Sequence, residues 1–150
     1  MRVKFTREYP CGVVAKPLWK NEPDEHDYPA AESYLSLIMP PGRAKQLSKR
    51  LRQREIEHFK AKDLLRASGL QALNASNVHV AKDLTKVKEG NRLSPVLLVR
   101  GSLEPRGPLI VADGYHRICA SYHLDEDADI PCRIVDGSPT QIARKSALHT

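Results

Sequence analysis

Residues 108–120 read PLIVADGYHRICA, and the pattern of apolar side chains changes within them. The apolar run that ends at Ala112 follows a Gly-Pro pair, which is typical of a short strand that is buried on both faces. Beyond Gly114, the residues Tyr115 and Ile118 begin an apolar stripe at helical spacing. We therefore predict a buried strand, a sharp turn that glycine permits, and a helix that starts at once.

Further elements are predicted on both sides of this turn. Apolar runs at 95–99 (PVLLV) and 130–135 (IPCRIV) predict two more buried strands. Helical periodicity predicts helices that begin at Pro29, span Ala44–Leu51, span Ala61–Ser68 and span Val78–Lys88, and Val13–Ala15 is a candidate edge strand. The predicted fold class is α/β (α+β), a small mixed sheet with a helical N-terminal half. We divide the chain into an N-terminal arm with a helical extension (1–75), a core (76–136) and a C-terminal tail (137–150).

Length and composition favour one compact soluble unit. The chain has 150 residues, of which 41% are hydrophobic and 28% charged, values that argue against wholesale disorder. The sequence shows neither an apolar run long enough to span a bilayer nor an export signal, so we expect no membrane partner and a cytoplasmic location. Cys11, Cys119 and Cys132 lack the C-x-x-C spacing and are expected to be reduced thiols.

The net charge of +6 comes from one segment of the chain. Residues 43–66 contain nine Lys or Arg and three Asp or Glu, and the remainder of the chain is balanced. The candidates for contact with a nucleic-acid backbone are Lys45, Lys49, Arg50, Arg52 and Arg54. Phe59 is the one aromatic residue of the segment, so base stacking is not expected. An ordinary solvated helix surface is the alternative interpretation.

The predicted strand, turn and helix have the features of an anion site. A helix that begins directly after a strand presents unpaired N–H groups and the positive end of its dipole. Gly114 allows a ligand to approach the backbone, and His116 and Arg117 add a titratable donor and a permanent cation. Asp113 can accept a ligand hydroxyl. In the structural alternative, Asp113 caps the helix and Arg117 pairs with an acidic residue of the run 125–127.

The order of motifs carries a resemblance to a known superfamily. A strand runs into Asp-Gly-Tyr-His-Arg, a helix with the small residue Ala120 follows, and Ile130-Pro131 opens a later strand. Upstream, Leu93-Ser94-Pro95 opens another strand. This order resembles the ParB/sulfiredoxin superfamily over about residues 76–136. The resemblance implies a sheet of that type and a nucleotide ligand (ATP, ADP or CTP), with Mg²⁺ as a candidate companion ion.

The resemblance also implies which residues hold the phosphates. In the superfamily the box cradles nucleotide phosphates, and here this role falls on Gly114, Tyr115, His116 and Arg117. The helix before the Ser-Pro strand supplies further phosphate ligands in sulfiredoxin-like proteins. In this chain His79, Lys82 and Lys86 fall at i, i+3 and i+7 on one helix face, and a solvated basic face is the alternative.

Departures from the superfamily leave the reaction open. Tyr115 occupies the position of the nucleophilic Cys in sulfiredoxin, and both the second Arg of ParB and a DNA-reading helix-turn-helix are missing. The nearest match is the box of the free-serine kinases. We predict a nucleotide- or phosphate-binding protein, a phosphotransferase or nucleotide hydrolase, with Asp113 and His116 as catalytic candidates. Two alternatives are a nucleotide-responsive nucleic-acid-binding module and a non-catalytic scaffold with a structural anion site.

The acidic residues at 24–27 admit two interpretations. A solvated loop is favoured over a metal site, because adjacent residues rarely converge on one ion. A carboxylate of this run folded over the site is a second candidate for a catalytic base. His116 and His123 are two helical turns apart, too far to share a zinc ion. We therefore predict no metal site.

Overall fold

A four-stranded mixed sheet lies between two layers of helices in the computed structural model, which describes residues 16–101 and 107–137. The helices are α1 (Asp27–Leu35), α2 (Pro41–Arg52), α3 (Ala61–Ser68), α4 (Val78–Lys88) and α5 (Tyr115–Leu124). The strands are β1 (Leu18–Trp19), β2 (Glu57–Lys60), β3 (Arg92–Leu93), β4 (Val96–Arg100), β5 (Ile110–Asp113) and β6 (Asp129–Asp136). The predicted α/β class is confirmed.

The main sheet has the strand order β2-β6-β4-β5. The central strands β4 and β6 are parallel, and each pairs with an antiparallel edge strand on its other side. The chain passes from β4 to β6 through β5 and α5, so the turn at Gly114 lies inside this crossover. A separate two-stranded parallel sheet joins β1 to β3.

Both faces of the central strands are buried, as predicted. Along β4, Val96 and Leu98 face a layer formed by α3, α4 and α5, whereas Leu97 and Val99 face α1 and α2. All four side chains are fully excluded from solvent. Continuous apolar runs rather than alternating ones are expected for strands covered on both sides. The hydrophobic core therefore has two halves, one on each side of the sheet.

The helices beside the site begin and end close to their predicted bounds. α3 ends at Gly69, whose φ of 70° is left-handed, and α4 covers the predicted range. The side-chain oxygen of Asn77 caps α4 by accepting the amides of His79 and Val80 at 3.0 and 3.2 Å. Within the described residues, every helix is too short or too polar to reach across a bilayer.

The centre of the basic segment 43–66, between the two predicted helices, forms a strand that the sequence did not predict. Glu57–Lys60 forms the edge strand β2, in which Phe59 pairs with Ile130 of β6 and packs on the core. Charged neighbours hid the period-two pattern of this short strand. The candidate strand Val13–Ala15 and nearly all of the tail 137–150 lie outside the described residues.

Candidate functional site

The site forms where β5 ends and α5 begins. Gly114 joins them with a φ of 114°, and a Cβ atom at this position would lie 2.7 Å from Cγ2 of Val96. Only glycine therefore allows α5 to start this close to the beginning of β4. The first intrahelical bond runs from the amide of Ile118 to the carbonyl of Gly114. Gly114, at the N-cap position, has no side chain with which to cap the first turn, so the first amides of α5 are potential donors next to the pocket that Gly114 and His116 line.

A pocket of about 330 Å³ opens beside this turn. All of the predicted ligand-binding and catalytic residues except Tyr115 line it, which brings α4 against α5 as the sequence suggested. The pocket is therefore lined by Asp113, Gly114, His116, Arg117, His79, Lys82 and Lys86 from the predicted set, together with Lys20, Asp24, His26, Asp27, Ala30, Asp83, Arg92, Leu93 and Ser94.

Arg117 lies in a network of internal contacts. One terminal nitrogen donates to Asp113 at 2.5 Å, and the other donates to the carbonyls of Ser94 at 2.5 Å and Pro95 at 3.2 Å. That second nitrogen also lies 3.4 Å from Oδ2 of Asp27. The side chain is only 13% exposed. In this arrangement the guanidinium joins three parts of the chain, and its contact with a ligand phosphate stays a prediction.

The acidic partner of Arg117 was not the predicted one. The structural alternative placed this partner in the run 125–127, but the structure supplies Asp113 and Asp27. Asp27 is buried, and it accepts from the hydroxyl of Ser94 and from the amide of Asp24 at 3.2 Å. The interpretation of residues 24–27 as a wholly solvated loop was therefore wrong for Asp27. A carboxylate of this run does reach the site.

The carboxyl group of Asp113 has unusual acid–base properties. Burial is the main cause that raises its pKa to about 6, and the nearby Asp27 carboxylate adds to the effect. The guanidinium of Arg117 opposes this shift without cancelling it, because two carboxylates share one cation. A carboxyl group with such a pKa can both accept and donate a proton close to neutral pH.

Two imidazole rings lie next to each other in the wall of the pocket. The ring centroids of His79, at the start of α4, and His116, at the start of α5, are 4.7 Å apart. Burial lowers the pKa of His116, and the proximity of His79 lowers it further. Tyr115 lies on the other side, where its hydroxyl donates to the carbonyl of Gln71 at 2.5 Å. The Tyr115 side chain therefore does not line the pocket.

The lysines of α4 supply most of the exposed positive charge beside the imidazole rings. Lys82 has no ion pair within the described parts of the chain, and Lys86 lies 4.0 Å from Asp83. Burial raises the pKa of Asp83, whose side chain lies between α4 and the pocket. The cationic wall therefore keeps net positive charge next to the uncapped first turn of α5.

Asp24, His26 and Asp27 bring three donor atoms within 4.8 Å of one another. Lys20 already contacts Asp24 at 2.7 Å, and its hydrogen bond lowers the pKa of that carboxyl. Asp27 is engaged by Ser94 and by the guanidinium described above. These internal partners occupy the carboxylates, so the cluster is described as part of the pocket wall rather than as a metal centre.

The predicted nucleic-acid residues lie on α2 and just beyond it, away from the pocket. Their arginines contact the chain itself: Arg50 donates to the Asp136 carbonyl at 3.2 Å, Arg54 donates to the Ile134 carbonyl at 3.2 Å, and Arg52 pairs with Glu25 at 2.6 Å. Lys45 and Lys49 are exposed. Much of the positive charge therefore attaches α2 to neighbouring parts of the fold.

Comparisons of this chain with protein-family models, curated proteins and solved structures found no match. The resemblance to the ParB/sulfiredoxin superfamily therefore rests on the order of motifs in the sequence, and it stays a prediction.

Sequence reasoning missed the part that Ser94 takes in the site. This residue was interpreted only as the entry to a strand, yet its hydroxyl contacts Asp27 and its carbonyl accepts from Arg117. The one signal in the sequence was its position before Pro95, where the preceding residue favours an extended conformation at the entry to a strand.

Proposed function

We propose that the pocket binds the phosphate groups of a nucleotide and that Asp113 serves there as an acid–base group for phosphoryl transfer or hydrolysis. The observation that carries this proposal is the uncapped first turn of α5 beside a cationic wall, with a carboxyl of pKa about 6 in the same pocket. Helix N-termini attract anions, and basic side chains at the same place add to that attraction.

Basic and acidic side chains on two sides of the pocket support this assignment. Lys82, Lys86 and the two imidazoles lie with Asp83 on the α4 and α5 side, whereas Asp24 and Asp27 come with Lys20 from the segment that leads into α1. A phosphate fits the first side, and the hydroxyls of a ribose or an acceptor fit the second. Phosphoryl transfer depends mainly on positioning and on charge neutralisation, which these residues can provide.

Arg117 supports the site by positioning other residues. Its contacts with Asp113, Asp27 and the Ser94 carbonyl hold the carboxyl groups at the pocket wall. Cys119 and Cys132 are buried free thiols, which fits the cytoplasmic location that forms part of this proposal. The nucleic-acid alternative has less support, because the arginines around α2 are engaged within the chain.

The test is a calorimetric and thermal-shift panel of ATP, ADP, CTP and inorganic phosphate, each with and without Mg²⁺. A nucleotide at 100 times its Kd should raise the free energy of unfolding by about 2.7 kcal/mol. The variant Lys82→Ala/Lys86→Ala should weaken nucleotide binding about tenfold or more, equivalent to about 1.4 kcal/mol.

The matched control is Lys45→Ala/Lys49→Ala, which removes two lysines at the same spacing from an exposed part of α2. It should leave nucleotide affinity unchanged. Asp113→Asn should keep binding and lose turnover. Flat thermal shifts with every nucleotide would overturn the proposal and favour the scaffold alternative.

A further inference from the structure

The imidazoles of His79 and His116 form a pair whose charge state depends on what lies beside them. Their rings come from the first turns of two different helices, with centroids 4.7 Å apart and planes tilted by 45°. Both residues line the pocket. Two imidazolium ions at this separation would repel each other, and the proximity of His79 is one of the causes that lower the pKa of His116.

The other ionisable groups around the pair divide into two sets. From α4 and α5, Asp83 favours protonation of His116 and Arg117 disfavours it, and Lys82 and Lys86 also line the pocket. From the opposite wall, the remaining groups are Asp113, Asp24, Asp27, His26, Lys20 and Arg92. Charged groups of both signs therefore surround the pair, and an additional negative charge placed directly beside the rings favours their protonation.

A terminal phosphate group supplies such a charge. It carries close to two negative charges at neutral pH, and its oxygens accept hydrogen bonds from more than one donor. A neutral imidazole has one N–H and an imidazolium has two, so protonation adds a donor as well as a charge. A phosphodiester carries a single negative charge and gains less from the second proton.

We propose that the His79–His116 pair makes this pocket selective for a dianionic terminal phosphate over a phosphodiester, because the pair takes up a proton when the phosphate binds. This inference rests on the proposed function, and it names the chemical class of the ligand that the site takes. The affinity of the pocket for a dianion that does not itself titrate should then increase as the pH falls from 8 to 6.5. Because one proton is taken up, this increase is limited to about tenfold per pH unit.

The test measures proton uptake directly. Calorimetric titrations with sulfate, which stays dianionic throughout this pH range, are run in two buffers of different ionisation enthalpy. The wild-type protein should take up about 0.3 to 1 proton per sulfate bound at pH 7.5. A nucleoside 5′-monophosphate should bind about tenfold or more tightly than its 3′,5′-cyclic diester. The imidazole C–H resonances of at least one of the two histidines should shift towards the protonated position on binding.

His79→Gln is the main variant, because His79 is exposed and its loss leaves the core intact. It should reduce both the proton uptake and the preference over the diester, and His116→Gln should do the same. His58→Gln is the matched control, since His58 is exposed on β2 and does not line the pocket. That control should keep both properties.

The outcomes separate this inference from the proposed function. Binding of nucleotide without proton uptake, or with equal affinity for the cyclic diester, would overturn the inference and leave phosphate binding in place. Uptake that survives His79→Gln and disappears in Asp113→Asn would assign the proton to the carboxyl group and would also overturn it. Absence of binding by sulfate and by every nucleotide would overturn the proposed function itself.

Discussion

Arg117 contacts two carboxyl groups that lie far apart in the chain, Asp113 on β5 and Asp27 at the start of α1. All three side chains are largely buried, and a buried cation and its partners must be considered together. Removal of one member of a buried ion pair leaves the others without compensation, which costs more than the loss of an exposed pair. The network should therefore contribute strongly to stability.

Arg117→Ala should lower the free energy of unfolding by about 3 to 5 kcal/mol, because two carboxyl groups lose their shared cation. Urea denaturation checks this value. Arg66→Ala is the matched control, since Arg66 is 85% exposed and pairs with Asp63 at 3.2 Å. The loss for that control should stay below about 1 kcal/mol. Equal and small losses in both variants would contradict a structural role for Arg117.

At the residue scale, the sequence predicted one wall of the site and gave the other only as an alternative, a carboxylate of residues 24–27 folded over the site. His79, Lys82 and Lys86 share a helix face by spacing alone, and the structure brings that face to the predicted turn. The burial of Asp27 was not predictable, because its partner Arg117 is 90 positions away in the sequence. Local periodicity carries no information about contacts over that distance.

At the scale of elements, the junction between β5 and α5 depends on Gly114. Its φ is positive, and the 2.7 Å between Cγ2 of Val96 and the position that a Cβ would take excludes a side chain without local rearrangement. Gly114→Ala should therefore destabilise the protein by about 1 to 3 kcal/mol, the usual cost of a strained backbone residue. Thermal or urea unfolding measures the loss, and the pocket should lose affinity for phosphate in parallel.

Gly42→Ala provides the comparison for this substitution. Gly42 lies in the first turn of α2 with open space where a Cβ atom would lie, and its φ is not positive. Alanine there should be neutral or should stabilise the protein by up to about 1 kcal/mol. A larger loss in this variant than in Gly114→Ala would contradict the role assigned to the junction.

The elements that were predicted best have strong local signals. α3 ends at a glycine and α4 follows an asparagine cap, so their bounds can be read from the sequence. β2 has only four residues. Its strand conformation is specified by pairing with β6, about 70 positions further along the chain, and not by its own composition. Short edge strands of this kind are fixed by tertiary contacts, which explains why no strand was predicted there.

At the scale of the whole molecule, residues before position 76 supply one strand of the main sheet and the two helices that cover one of its faces. β2 pairs with β6, and α1 and α2 cover the face that carries Leu97, Val99 and Val135. A fragment comprising residues 76–137 should therefore fail to fold, because those apolar side chains would face water. Circular dichroism and urea titration test this against the full chain, which should unfold cooperatively.

The matched fragment is 16–137, which keeps every described element. It should fold cooperatively, because it keeps all four strands of the main sheet and both helical layers. A well-folded 76–137 fragment would contradict the role given to α1, α2 and β2, and it would show that one helical layer is enough to support the sheet.

The distance of 90 residues between Asp27 and Arg117 also has a consequence for biosynthesis. Asp27 leaves the ribosome long before its guanidinium partner has been translated. Until α5 emerges, the early helices can pair with each other but cannot neutralise this acid in its buried position. In nascent chains that stall before Arg117, the layer formed by α1 and α2 should therefore not reach its native packing. The pocket should form only after α5 has been translated.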